Sequence, residues 1–415
     1  VPSPLRALRH RNFAWFTGGQ TFALLGYWVQ QMAQSWLLYR LTDSALMLGL
    51  LGFAASIPVL FLSPFAGIWA DRVNLHRTMF VIQVCEGLQA TVFAVLAVMG
   101  LLEPWHVVLL AGVLGVLIAL ELPVRHAYLL ELVDDRADLP NAVAVTSLMA
   151  NCGRLVGPAV AGVVIGALGE AMCFVLNAAT YLAVIVSLIM IRVVPSPRAA
   201  ARQPFREGFT EGVRHAWRSL PIRLLLGTLI VIALLAAPYV TVMPVLVREV
   251  FRGGATQMGF LIGSAGVGAV AGTLLLAARR DTHGLVGIMA AGSLAAGLSM
   301  MTLPFVPSIW MAAPLLAAIG FGLLVTSVSV NMILQSIVDD DKRGRIMSLY
   351  TACFLGVAPF GSLLAGILTE HAGVRATLAV GGTCCAIAAF HLHRRRPELD
   401  RALRPLYLRA GRKSE

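Results

Sequence analysis

The sequence predicts an all-α integral membrane protein: twelve transmembrane helices in two pseudo-symmetric six-helix halves. Three observations predict it. Hydrophobic residues make up 58% of the 415 and charged residues only 13%, about half the ~25% charge of a soluble domain. Apolar runs of the length that crosses a bilayer, roughly 20 residues, recur about twelve times along the chain. The chain also repeats itself at intervals of 201 to 210 residues.

The runs cover 13–39, 46–69, 77–100, 105–126, 141–168, 171–191, 223–247, 257–278, 285–306, 309–333, 345–369 and 373–393. They divide the chain into a first half at 1–191, a linker at 192–222, a second half at 223–393 and a basic tail at 394–415. With the N-terminus on the inner side, 27 of the 32 Lys and Arg residues fall inside and four (Arg40, Arg248, Arg252, Arg375) outside. Arg154 is left inside a span, on neither side. Inner loops enriched in Lys and Arg are the rule for membrane proteins, so both termini are expected in the cytoplasm. The net charge of +11 then reflects topology, and no nucleic-acid partner is expected.

The segment before the first run, from Pro4 to Arg11, is basic. The run that follows is too long for a signal-peptide core and is read as a retained helix. Cysteines 85, 152, 173, 353, 384 and 385 lie in apolar runs without metal-ligand spacing. They read as packing residues, and no metal is expected. Gln20, Tyr27, Gln31 and Gln34 recur at spacings of 7, 4 and 3 on the first helix, so they share one face.

The turn from Gly67 to Arg77 follows, a charged loop pressed between two apolar runs. A loop this short makes its helices antiparallel neighbours, and glycine at 67 permits another helix to come close. Glu86 lies nine residues past Arg77, at mid-membrane depth. A carboxylate shielded from water there is a candidate proton carrier. Glu121 and Arg125 stand four apart around Pro123, the favourable order for a helical ion pair. They form either a coupling or gating site or an anchor at the membrane boundary. Arg154 is about 14 Å into its helix by helical rise. It needs an anion, a carbonyl or water, and an acidic substrate or Glu86 would serve. Charges inside spans are functional candidates because their burial is costly.

In the linker, Pro195 and Pro197 break the helix. Phe205, Phe209, Val213 and Trp217 then recur at i+4 among charges. They predict a short amphipathic helix, either on the inner leaflet or packed as a tether. In the second half, Tyr239 sits beside Pro238, and Ser327, Asn331 and Gln335 recur at i+4.

The repeat is legible in pieces. Ser44–Gly49 returns as Gly254–Gly259, and Asp71 as Asp281, 210 residues on. Val133-Asp134-Asp135 returns as Val338-Asp339-Asp340, and the Gly153–Pro158 segment has an echo at Gly356–Pro359. Repeats of this size place two six-helix halves about an axis along the membrane normal.

Gly67-Ile-Trp-Ala-Asp71-Arg72 followed by Arg77 resembles the helix 2–3 loop of major facilitator superfamily (MFS) transporters. Further stretches resemble a subgroup of siderophore and drug exporters related to enterobactin and macrolide efflux proteins. They include Leu8-Arg-His-Arg-Asn-Phe13, Gly26-Tyr-Trp-Val-Gln30, Leu41-Thr-Asp-Ser-Ala-Leu46, Pro123-Val-Arg125, Leu139-Pro-Asn-Ala142 and Gly157-Pro158. The resemblance implies that Gly67, Asp71, Arg72 and Arg77 clamp one conformational state, with Asp281 as a weaker counterpart. It implies that helices 1, 4, 7 and 10 line a cavity. Gln20, Tyr27, Gln31, Gln34, Tyr239, Ser327, Asn331 and Gln335 would then face substrate, and Gly153, Gly157 and Pro158 would form a helix-packing motif of antiporter type. Asn74 stands where a second glycine is usual, Leu75 and His76 where basic residues are, and Tyr27 where many relatives carry an acid. Asn74 tolerates the left-handed conformation better than most residues.

The expected function is secondary active transport, with a proton gradient as energy source and small organic molecules exported. The chain would be a monomer in the cytoplasmic membrane of a bacterium, with no cofactor. An importer, a carrier of lipid-like molecules, and a non-transporting sensor or scaffold are the alternatives. No P-loop is present to bring ATP, and no hydrolase constellation such as His-Glu-x-x-His marks an enzyme.

Overall fold

The computed structural model describes residues 6–192, 214, 216, 217, 219–279, 284–338 and 340–409. Asp281, Asp339 and most of the linker, with Phe205, Phe209 and Val213, lie outside the described residues. The first half holds α1 (Arg11–Thr42), α2 (Ala45–Ala70), α3 (Leu75–Val98), α4 (Pro104–Leu132), α5 (Leu139–Leu168) and α6 (Glu170–Met190). The second holds α7 (Leu220–Val231), α8 (Ala255–Ala277), α9 (Leu285–Thr302), α10 (Ile309–Ile337), α11 (Asp340–Thr351) and α12 (Ala358–Arg409).

Ten stretches among the described residues are long and apolar enough to cross a membrane. The last, Lys342–Leu403, is broken at Gly373, where φ is 83°, and so makes two crossings. The 32-residue α1 makes the twelfth. It is less apolar than the other crossings because Gln20, Gln30, Gln31 and Gln34 interrupt it.

Local chemistry sets the helix ends. Ser44 caps α2 by accepting from the Met47 N–H, and Ser308 caps α10 by accepting from the Trp310 N–H. Such caps satisfy donors that the first turn leaves unpaired. Asn74 caps α3, accepting from the Arg77 N–H at 2.9 Å. Its φ of −73° and ψ of 108° are extended, so the turn does not use the left-handed conformation expected of it. Gly169 joins α5 to α6 at φ 84°, ψ 169°, and Gly373 joins the last two crossings at φ 83°, ψ 161°. Only glycine adopts this region readily. The two sites lie 204 residues apart, and their near-identical angles extend the repeat to the backbone. The seventh crossing is irregular. After α7 it passes through a π-helical turn at Ile232–Ala236, a 3-10 turn at Ala237–Val240 and another π-helical turn at Leu246–Val250. Pro238 and Pro244 remove the backbone donors that a regular helix needs there.

The chain forms two compact units, and each borrows a short piece from the other half of the sequence. In the first, α1 packs on α5 and α6, and α3 on α4 and α6. Its core includes Phe13, Phe16, Met79, Tyr128 and Leu188. Gly253–Gly263 belongs to this unit: the Thr256 hydroxyl donates to the Gly162 carbonyl at 2.9 Å, and Gly259 lies against Gly162. In the second unit, α9 packs on α10 and α12, around Leu225, Met289, Ile333 and Leu392. Helix α12 continues beyond the membrane run, and its Leu399 and Leu403 are buried in the same core. Leu48–Phe53 belongs to this unit, where Gly49 and Gly52 lie against Ser362. Large apolar side chains such as Phe61, Phe65, Leu88, Val163 and Leu182 are exposed, as a surface solvated by lipid requires.

Candidate functional site

Two buried carboxylates meet in the first unit. Glu86 on α3 is 3% exposed and Glu121 on α4 is 5% exposed. Gln83, one helical turn before Glu86, joins them. Its Nε2 donates to Glu86 Oε2 at 3.0 Å and to Glu121 Oε1 at 3.1 Å. Arg125 donates from Nη2 to Glu121 Oε2 at 3.2 Å, the ion pair that the i,i+4 spacing predicts. Tyr181 on α6 faces Glu86. It gets close because Gly87 carries no side chain: a Cβ there would stand 3.1 Å from the Tyr181 Cβ. Tyr27 on α1 lies within electrostatic reach of both carboxylates. The arrangement sets two acids against one guanidinium in a shielded site, where a pair must be well bonded to be tolerated.

The α1 stripe leads into this cluster. Gln31 donates to the Tyr27 hydroxyl at 3.1 Å, and Gln34 donates to the Gln31 side-chain carbonyl. Gln20 is buried on the same helix but stands outside that chain of bonds. On α10, Gln335 donates to Asn331 at 2.6 Å, and the Ser327 carbonyl accepts from Tyr350 at 3.2 Å. Gln335 is exposed and Asn331 half-buried. Tyr239 is buried in the 3-10 turn of the seventh crossing.

Other residues fall where the sequence did not place them. Arg154 is exposed and donates to Asn151 at 2.8 Å, and it is not among the groups that face Glu86. Gly67 has nothing within 4 Å of where its Cβ would stand, so among the described residues no helix takes up the approach it permits. Asp71 and Arg72 are exposed at the end of α2, and Arg77 is exposed on α3. The helix N-terminus beside them is capped by Asn74 instead of Asp71. Gly153 and Gly157 are buried against Trp28 of α1, and Pro158 against Gly259, so this motif does pack helices.

Sequence reasoning passed over several partners. Gln83 is a polar residue inside an apolar run, one turn from Glu86, and its position signalled the contact. His76 donates to or accepts from the Tyr128 hydroxyl at 2.6 Å; it ties the helix 2–3 turn to α4. At the N-terminus, Arg6 pairs with Asp138. His10 lies between Asp138 at 2.9 Å and Asp134 at 3.2 Å. Hydrogen bonds to Asp138 and then Asp134 push the His10 imidazole above its ordinary pKa.

Twelve crossings in two repeated units, with charged groups buried between helices, define a membrane transporter. The chain belongs to the MFS family described as Transmembrane secretion effector, whose model matches residues 2–406. It is similar to the staphyloferrin A transporter of Staphylococcus aureus, 26% identical over 93% of this chain and 97% of that one. It is 25% identical to the multidrug efflux pump Tap of Mycolicibacterium fortuitum, over 90% of this chain and 93% of that one. Among solved structures, the fold matches the nucleoside transporter NupG with a TM-score of 0.73 at 12% identity, over 92% of this chain and 98% of that one. A bacterial homologue of the human lysosomal transporter Spinster matches with a TM-score of 0.72 at 13% identity, over 98% of each chain. The protein is a transporter of small molecules and not an enzyme.

Proposed function

We propose that this transporter is a secondary active exporter of small organic molecules, coupled to protons by antiport, in the cytoplasmic membrane of a bacterium. The observation that carries the reading is the Glu86–Gln83–Glu121–Arg125 cluster. Buried acids are retained in membrane helices where an ion or a substrate must be moved. The relatives support the substrate class: a siderophore transporter and a multidrug efflux pump align over nearly their whole length. Alternating access would arise by rocking one repeat against the other around a central site. The amides of Gln31 and Gln34, the Tyr27 phenol and the α10 stripe suit an amphiphilic organic molecule.

The test has two stages. Comparing the compounds retained by cells with and without the protein gives candidate substrates. Those compounds are then followed in proteoliposomes with an imposed proton gradient. Movement against the proton flux is expected. Transport indifferent to the gradient would overturn antiport, and movement with the protons would reverse the direction to import.

A further inference from the structure

We propose that Glu86 is the residue that takes up and releases the coupled proton, positioned by Gln83, while Glu121 stays bonded to Arg125. The assignment rests on the proton-antiport reading above and adds which acid titrates. The two carboxylates are not equivalent. Both oxygens of Glu121 are engaged, one by Gln83 at 3.1 Å and one by the Arg125 cation at 3.2 Å. Glu86 has one oxygen held by the neutral Gln83 amide at 3.0 Å; the Tyr181 hydroxyl faces it, but its Oε1 has no hydrogen bond within 3.5 Å, and no cation bonds either oxygen. The Gln83 Oε1 is also without a partner, and Gln83 is 1% exposed. The unmet atoms of this pair are therefore acceptors, and they sit one helical turn apart on α3.

Charge balance points the same way. Two carboxylates and one guanidinium leave one uncompensated negative charge in a site shielded from water, which costs free energy. The groups facing Glu86 from its neighbours are Glu121 and Arg125 on α4, Tyr27 on α1 and Tyr181 on α6. None supplies a second cation. A proton from water, forming an O–H bond on Glu86, brings the cluster to neutrality and adds the missing donor. Its release to water on the other side breaks that bond and restores the charge. Glu121 does not share the role, because its protonation would weaken the 3.2 Å charge-assisted bond from Arg125, whereas Glu86 gives up no bond to a cation when it takes the proton.

The test is pH-difference infrared spectroscopy on the purified full chain in lipid nanodiscs, which needs no substrate. A protonated-carboxyl band that titrates is expected in the natural protein. It is lost in Glu86→Gln and kept when Glu121 and Arg125 are both replaced by Gln. A band that survives Glu86→Gln, or that vanishes in the double variant, overturns the assignment. If Glu86→Gln does not fold, Glu86→Asp is expected to move the band's midpoint and Glu121→Asp to leave it; the reverse also overturns it. A midpoint that follows sodium concentration at fixed ionic strength would make this a sodium site instead. Failure of gradient-driven transport with the band intact would sink antiport and leave Glu86 as the titrating group.

Discussion

In the first half, α3 and α4 bury two carboxylates; in the second, the buried polar side chains among the described residues are serine and threonine hydroxyls. The hydroxyls look after themselves. Thr326 donates to the Gly322 carbonyl at 2.7 Å and meets Ser293 at 2.8 Å; Thr377 meets Thr369 at 2.8 Å and donates to the Gly373 carbonyl. A hydroxyl can reach the carbonyl one turn back on its own helix, although the buried Ser329 hydroxyl makes no such bond. A carboxylate cannot, and must be matched by a partner from another helix or from solution. The repeat has therefore kept its backbone devices and divided its chemistry. Gly157 packs on Trp28 in one half, and Gly361, at the 204-residue offset of Gly169 and Gly373 and not the 201 of the Gly356–Pro359 echo, packs on Leu234 and Pro238 in the other. Acid chemistry belongs to the first half alone, among the described residues.

The hardest blow to that contrast is Glu121→Gln. It takes from Arg125 its bonded carboxylate, and since the Arg125 side chain is 18% exposed the cost stays below the full buried-pair value, at about 2 kcal/mol. Thermal melting of the solubilised protein should fall accordingly, and transport in vesicles should be lost. Replacing Arg125 by Gln as well should restore most of the stability and none of the transport. Thr326→Val in the second half should cost about 1 kcal/mol. Equal losses at Glu121 and Thr326 would erase the distinction between the halves.

The backbone devices should respond alike. A Cβ at Gly157 would overlap the Trp28 side chain, and one at Gly361 would stand 2.7 Å from the Leu234 carbonyl oxygen. Gly157→Ala and Gly361→Ala should each destabilise by about 1–3 kcal/mol, the range for overpacking. A loss at only one of them would mean that the two packing sites are not related. Gly67→Ala should cost no stability, since its Cβ would meet nothing within 4 Å.

The turn after α2 should separate stability from function. Asp71 and Arg72 are exposed, so Asp71→Asn should leave melting within about 0.5 kcal/mol. It should nonetheless slow transport several-fold by removing a charge needed when the clamp closes. Asp281→Asn should slow it less. Full transport in Asp71→Asn would refute the clamp.

Crossings and their ends were legible because apolar length and capping residues act locally; Ser44 and Gly169 announce helix boundaries by their own chemistry. The Glu121–Arg125 pair was legible for the same reason, being set by one helix's pitch. What escaped was set by rotation of one helix against another. Glu86 is buried beside Glu121 through Gln83, with Tyr181 of α6 admitted against Gly87, and the facing direction of α3 is not written in any one segment. Arg154 shows the same gap, since depth along a helix does not say which way a residue faces; Gly153 and Gly157 pack one face of α5 on Trp28, and Arg154 is exposed beside them. His10 lay far from its acids in sequence, 124 residues from Asp134 and 128 from Asp138.

The smallest effect expected is at that histidine. His10 is bonded by Asp138 and Asp134, which favour its protonated form and raise its pKa in the folded protein. The sign follows from linkage. Its contribution to stability is full below the unfolded value, about 6.5, and is lost as pH rises through the raised folded value. The N-terminal turn should thus hold the α4–α5 connection more tightly in mildly acidic solution than in alkaline solution. The melting difference between the natural protein and His10→Gln should shrink as pH is raised across that window. A difference that stays flat with pH would show that His10 acts as a neutral hydrogen-bonding group, and would leave Arg6 and Asp138 as the charged tie at this end.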